Sequence, residues 1–269
     1  LMYVTPSAPH EPFTPVTRHA TAPVPPWDPA PSFGEEDKSD KPPAIRDTAA
    51  DRDGVERIRE GQLRTLLAVD ELIGRLMATL GDLRERERTL VFFLSDNGYF
   101  WGEHGLTDKR MPYTESISVP LYVRWPGHIA PGAKDGRQVS LVDLAPTVLA
   151  ATGTFAHPSF PPDGRSLLDT WDRDHVYVEY FPDRGAGAIG SWASIRTGTV
   201  QYVEYYAADT GLVEFSEYYD LQEDPYQMRN LLGDDNAGND PPPTEVQALS
   251  AQLANNRTCA GTSGANPCP

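Results

Sequence analysis

Between Thr89 and Ser95 the chain runs Thr-Leu-Val-Phe-Phe-Leu-Ser without a charge, directly after a long stretch of helical periodicity. That junction constrains the fold more than any other feature. Over residues 51–83, Val55, Ile58, Leu66, Leu67, Ile73, Leu76, Met77, Leu80 and Leu83 recur at steps of three and four, the spacing of a helix with one buried stripe. Gly61 marks a point where this helix could bend. The apolar run lacks the polar alternation of a half-solvated strand, so it predicts a short strand covered on both faces, as in a parallel sheet. Helix followed by buried strand is the second half of a βαβ unit and places the chain in the α/β class. A second strand is expected over Val119–Arg124, stopped by Pro126-Gly127, and a helix over Asp143–Ala151, ended by Gly153.

Beyond about residue 170 the texture changes to short alternating runs over His175–Tyr180, Trp192–Arg196, Val200–Tyr206 and Glu217–Leu221. These predict an antiparallel sheet, with a closing helix near 244–254 packed on it. The chain thus divides into residues 1–170, an α/β portion, and residues 171–269, an antiparallel subdomain with a polar tail. Of the 26 prolines, 11 fall in residues 1–50. Proline fixes φ and lacks the amide donor, which forbids a regular helix there. Extended chain wrapping a surface is expected, closing on the charged segment Glu35-Glu36-Asp37-Lys38-Ser39-Asp40-Lys41.

The formal net charge of −16 is the wrong sign for gripping phosphate backbones or an anionic membrane surface. No apolar run approaches the ~18 residues that would span a bilayer. The opening Leu-Met-Tyr-Val-Thr-Pro reads as the end of a strand and carries no signal-peptide pattern. A piece of a longer protein is the expectation. Cys259 and Cys268 lie nine positions apart in a polar tail. They either close a small disulfide loop in an oxidising compartment or stay as two thiols. The sequon Asn256-Arg257-Thr258 would take a glycan only in a eukaryotic secretory pathway.

Asp96-Asn97-Gly98 stands at the carboxyl end of the apolar strand, where open α/β sheets bind ligands. A carboxylate beside an amide oxygen offers hard donors for Ca²⁺ or Mg²⁺, and a glycine permits the sharp exit that aims them together. The same tripeptide is also ordinary turn chemistry. Twelve residues beyond Asn97 comes Lys109, after Gly102-Glu103-His104-Gly105-Leu106. It is either a solvated charge or, with His104 and a metal, part of a cradle for a tetrahedral oxyanion. Far upstream, Pro9-His10-Glu11-Pro12 holds one imidazole between prolines.

In combination these blocks resemble the C-terminal half of the formylglycine-dependent sulfatases, members of the alkaline-phosphatase-like superfamily. The likeness runs through Pro9-His10-Glu11-Pro12, Ser95-Asp96-Asn97-Gly98, Gly102-Glu103-His104-Gly105-Leu106 and Lys109 before Tyr113-Thr114-Glu115. It continues through Val119-Pro120-Leu121, Arg124-Trp125-Pro126-Gly127, Asp163-Gly164-Arg165-Ser166-Leu167, Ile195-Arg196-Thr197-Gly198 and Tyr219-Asp220-Leu221. The Cys-containing tail looks most like the branch related to N-acetylglucosamine-6-sulfatases and bacterial arylsulfatases.

The resemblance implies a mixed sheet flanked by helices, plus the small antiparallel sheet and its helix. It implies Asp96 and Asn97 as two ligands of a Ca²⁺ (Mg²⁺ also fits), Lys109 on a sulfate oxygen, His10 at the leaving alkoxide, and His104 in the pocket. Secretion or a periplasmic location follows from the Cys pair together with the family. One departure limits the reading. The Cys/Ser-x-Pro-x-Arg motif that matures to formylglycine is absent from these 269 residues, as are the paired aspartates that complete the metal site. The chain is expected to hold half a site for a small-molecule or saccharide sulfate ester, the other half lying in an N-terminal portion of the same protein, and to be inactive alone. The alternatives are a phosphodiesterase or phosphonate hydrolase of the same superfamily, and a truncated non-catalytic protein.

Overall fold

The computed structural model describes residues 1–157, 159–182, 190–263 and 266–269. A four-residue helix α1 (Pro43–Arg46) precedes α2, which runs unbroken over Arg52–Asp82. Asp51 caps α2, its carboxylate accepting the Gly54 amide at 3.0 Å and satisfying one of the donors that a helix start leaves free. Gly61 does not interrupt the helix. A Cβ there would stand 2.7 Å from the Phe13 carbonyl oxygen, so its bare backbone lets the Pro-rich segment pass close by. That segment follows α2 in both directions. His19 Nε2 lies 2.8 Å from the Glu71 carboxylate, and Arg64 and Arg59 donate to the Ala22 and Pro25 carbonyls at 3.1 Å. Where this chain has no internal backbone partner, at Ala22 and Pro25, helix side chains satisfy its carbonyls.

After α2 come β1 (Val91–Leu94), the short hairpin β2 (Phe100–Trp101) and β3 (Thr107–Asp108), α3 (Thr114–Ile117) and β4 (Leu121–Arg124). Among the described residues β1 pairs with β4 alone, and antiparallel, Val91 opposite Arg124 and Leu94 opposite Leu121. The parallel neighbour expected from the apolar run is corrected here. Such a run reports that both faces favour burial and carries nothing about the direction of the next strand. Burial is also incomplete: Phe93 is 42% and Tyr122 67% exposed. Next, Ser140 and Asp143 form a reciprocal capping box ahead of α4 (Leu144–Thr152), which ends where Gly153 adopts φ +65°. Buried Asp143 also takes two bonds from Arg173, both at 2.7 Å.

The C-terminal sheet is a four-stranded antiparallel meander of β5 (Val176–Tyr180), β6 (Ser191–Arg196), β7 (Val200–Tyr206) and β8 (Val213–Asp220). Its period-two alternation divides two cores. On one face Ala193, Ile195, Tyr202, Tyr206 and Tyr218 pack with Leu253 of α5 (Pro243–Asn256). On the other, Trp192, Val203, Tyr205 and Tyr219 pack with Ile45, Phe100, Met111 and Tyr113. The sequon is structural, since Asn256 is buried with Nδ2 2.6 Å from His175 Nε2. Cys259 and Cys268 are joined as a disulfide.

Within the second core Glu217 is fully enclosed. Tyr113 and Tyr219 donate to one of its oxygens at 2.8 and 2.7 Å, and Tyr205 to the other at 2.7 Å. Burial, then the nearby Glu217 charge, pushes all three phenols well above the usual tyrosine range. A group whose folded pKa is raised contributes stability below its unfolded value, about 10 for tyrosine, and loses that contribution as pH climbs towards the folded one. The melting temperature should therefore fall steeply above about pH 10. At least these three of the 12 tyrosines should ionise only as the chain unfolds. Phenolate absorbance followed beside far-ultraviolet dichroism tests this; full ionisation of all tyrosines in a still-folded chain contradicts it.

Candidate functional site

Asp96 and Asn97 follow the last residue of β1 after one intervening serine, and Lys109 directly follows β3. The turn that brings the first pair into position depends on Gly98. Its amide donates to the Ser116 carbonyl at 2.8 Å, and a Cβ on it would meet the Glu115 carbonyl oxygen at 1.9 Å. No side chain fits there, because backbone cannot yield as a side-chain tip can. Ser95 Oγ donates to the Asn97 carbonyl at 2.8 Å, and Asn97 Nδ2 to the Gly98 carbonyl at 2.8 Å. These bonds leave Asn97 Oδ1 turned outward, where Lys109 Nζ donates to it at 3.3 Å. Asp96 is exposed, and Asn97 and Lys109 are half-buried.

The structure therefore brings Asn97 and Lys109 into contact, with the Asp96 carboxylate next in chain. His10 lies exposed, with Nδ1 3.3 Å from the Glu11 carbonyl, and among the described residues it makes no hydrogen bond to that trio. Its segment still borders the site. Phe13 meets Tyr99 edge-on with ring centroids 6.2 Å apart, two residues past Asn97. Tyr99 is a neighbour that the sequence did not single out; burial first, then Asp108 and more weakly Glu11, pushes its phenol upward.

His104 is packed into the core. It is fully enclosed, Nδ1 2.7 Å from a Glu35 carboxylate oxygen and its ring centroid 4.3 Å from that of Tyr113. Gly102 and Gly105 at φ +97° and +74°, with His104 itself at +54°, turn the imidazole into the core. An enclosed ring cannot touch a substrate, so its part is packing on Tyr113 and a hydrogen bond to the Glu35 carboxylate. Glu103 next to it is also buried, its carboxyl pushed above the ordinary range by desolvation while it accepts the Trp101 amide.

Among the described residues there is no cluster of three or more His, Cys, Asp or Glu side chains that could hold a metal. The donors present fit a hard divalent cation in kind, being a carboxylate and an amide oxygen side by side. In number they fall short of the roughly six to eight oxygens that Ca²⁺ takes. No helix among those residues is long and apolar enough to cross a membrane.

Comparison with known proteins accounts for the arrangement. The family model "Sulfatase" matches residues 1–154, and "N-sulphoglucosamine sulphohydrolase, C-terminal" matches residues 102–255. An N-acetylglucosamine-6-O-sulfatase of Bacteroides thetaiotaomicron is 33% identical over 180 residues, covering 64% of this chain and 31% of that protein. A protein solved in complex with its substrate D-glucosamine-2-N,6-O-disulfate superposes with a TM-score of 0.60 at 30% identity, over 74% of this chain and 40% of the other. The phosphonate monoester hydrolase of Agrobacterium radiobacter gives a TM-score of 0.61 at 25% identity, over 74% and 41%. The chain spans about a third of the length of the curated relatives it matches. Helices among antiparallel strand pairs, the meander with its helix, and two overlapping family models lead to one conclusion: this chain belongs to the sulfatase family, within the alkaline-phosphatase-like superfamily.

Proposed function

We propose that this chain is the C-terminal portion of a sulfuric ester hydrolase and carries half of a metal-dependent active site for a sulfated saccharide. The observation that supports it is the meeting of Lys109 Nζ with Asn97 Oδ1 at 3.3 Å beyond the tip of β1. Two segments twelve residues apart place a cation on the Asn97 amide oxygen, with the Asp96 carboxylate next to it in the chain, the kinds of group a sulfate dianion and its counter-metal require. Asp96 and Asn97 would hold a divalent metal, Ca²⁺ or Mg²⁺, with further ligands supplied upstream; the bound ion would withdraw charge from the sulfate oxygens. A formylglycine in the upstream half would supply the attacking oxygen.

The residues of this chain then do two things. Lys109 binds a sulfate oxygen and stabilises charge as the ester bond breaks. His10 stands at the leaving side and gives a proton to the departing alcohol oxygen. The upstream half would also cover the flank of β1 and β4 where Phe93 and Tyr122 are exposed. Secretion or a periplasmic location accords with the Cys259–Cys268 disulfide.

Hydrolysis of an aryl sulfate and an aryl phosphonate, each with Ca²⁺ or Mg²⁺, tests the reading in two preparations. The 269-residue chain alone should turn over neither, and a protein that also carries the upstream half should prefer the sulfate. Turnover by the isolated chain overturns the half-site. Preference for the phosphonate supports the second reading, which the phosphonate monoester hydrolase neighbour favours.

A further inference from the structure

Lys109 stands between two non-glycine residues with left-handed backbone, Asp108 at φ +74° and Arg110 at φ +88°. Such conformations are unfavourable for residues with a side chain and persist only where surrounding structure over-determines them. The restraint is visible at Arg110. Its amide donates to the Ser116 hydroxyl at 3.1 Å, and its carbonyl accepts the Trp192 indole N–H at 2.8 Å. Ser116 lies in α3 and is 5% exposed, and Trp192 lies in β6 of the C-terminal sheet and is 3% exposed. Ser116 has a second task, since its own carbonyl receives the Gly98 amide at 2.8 Å. One buried serine thus fixes the turn that carries Asn97 with its main chain and the peptide that follows Lys109 with its side chain.

We propose that Ser116 and Trp192 are positioning residues: they clamp the Arg110 peptide so that the Lys109 ammonium is held against Asn97 Oδ1. The inference rests on the sulfatase reading for its catalytic consequence and on geometry alone for the clamp. It also gives the C-terminal sheet a part in the site, because the β6 indole reaches the residue after the candidate catalytic lysine.

The test uses a protein carrying both halves of the site, with Ser116→Ala, Ser116→Thr and Trp192→Phe compared with the parent. Ser116→Ala should lower kcat for an aryl sulfate by about 10- to 100-fold, the scale on which a reacting group displaced by an ångström loses rate, with KM changed by less than about threefold. Ser116→Thr retains the hydroxyl and should recover most of that loss. Trp192→Phe retains an aromatic ring, removes the N–H and should move kcat in the same direction as Ser116→Ala. Hydrogen exchange at the Arg110 amide supplies the readout that a general loss of stability does not move. It should quicken in Ser116→Ala while the Gly98 amide, held by a carbonyl the substitution leaves in place, stays protected. An unchanged kcat in Ser116→Ala, a Ser116→Thr as impaired as the alanine variant, or an Arg110 amide that exchanges no faster overturns the proposal. If the parent hydrolyses no sulfate ester, the sulfatase reading fails, and exchange at Arg110 still decides whether the clamp exists.

Discussion

Replacing Lys109 with alanine, in a protein carrying both halves of the site, should lower sulfate ester hydrolysis by about 10²–10³-fold, the usual loss when one preorganised donor is taken from a developing oxyanion. The magnitude follows from where the ammonium sits. It is half-buried and donates to Asn97 Oδ1 at 3.3 Å, so it does not have to be drawn out of bulk water as charge develops. Lys109→Arg retains the charge but replaces a point donor with a planar fork on a longer reach, and should recover little. Lys134 is exposed and outside this region, and Lys134→Ala should leave the rate unchanged. A fall below about threefold for Lys109→Ala, measured as kcat/KM on an aryl sulfate, removes Lys109 from the machinery.

That expectation could be framed from sequence because its parts are carried by local chemistry. An uncharged run followed by Asp-Asn-Gly announces a strand and its exit turn, and Lys109 stands a fixed distance along the chain. α2 was legible for a similar reason: a helical period over residues 52–82 is a strong signal, and Asp51 marks its start. The strands β5, β6 and β7 lie where alternation placed them, while β8 begins at Val213, earlier than the residue 217 start expected. What escaped depended on partners far away in sequence. Nothing in an apolar run told β1 that its neighbour β4 would be antiparallel. The strands β2 and β3, two residues each, are too short to show any period. The charged segment before α1 is expected only to close an extended chain wrapping a surface, yet Lys41 is fully enclosed and donates to the Met228 carbonyl at 2.9 Å, 187 positions away. Asp40 likewise accepts the Asn230 amide at 2.6 Å. The resemblance places His104 in the pocket, whereas its flanking glycines turn it inward to Glu35. Ser116 carries no sequence signal at all, since a lone serine is compatible with almost any surrounding.

The largest effect on stability should come from Glu217→Ala. The carboxylate accepts three phenols, and truncating it leaves the Tyr113, Tyr205 and Tyr219 hydroxyls without that acceptor in a closed core. Each orphaned buried donor costs about 1–3 kcal/mol, and the vacated volume adds a cavity, so a loss of at least about 3 kcal/mol is expected. Glu217→Gln separates this from charge. Its carbonyl oxygen can still accept from Tyr113 and Tyr219, its amide can donate to the Tyr205 oxygen, and the cost should stay near 1 kcal/mol or below, roughly one ordinary hydrogen bond. The pH dependence distinguishes the carboxyl from the amide further. Burial, opposed by the phenols and Lys41, raises the Glu217 pKa above the ordinary carboxylate value. A raised folded pKa contributes stability that is fully present below the unfolded value, about 4.3, and is lost as pH rises through the folded one. The parent should therefore gain on Glu217→Gln as pH falls through that window, in parallel denaturant titrations at stepped pH. Equal losses for the alanine and glutamine variants would mean that the three hydroxyls find other partners, and a parent-to-glutamine difference that does not change with pH would mean that the carboxylate is not desolvated in the folded chain.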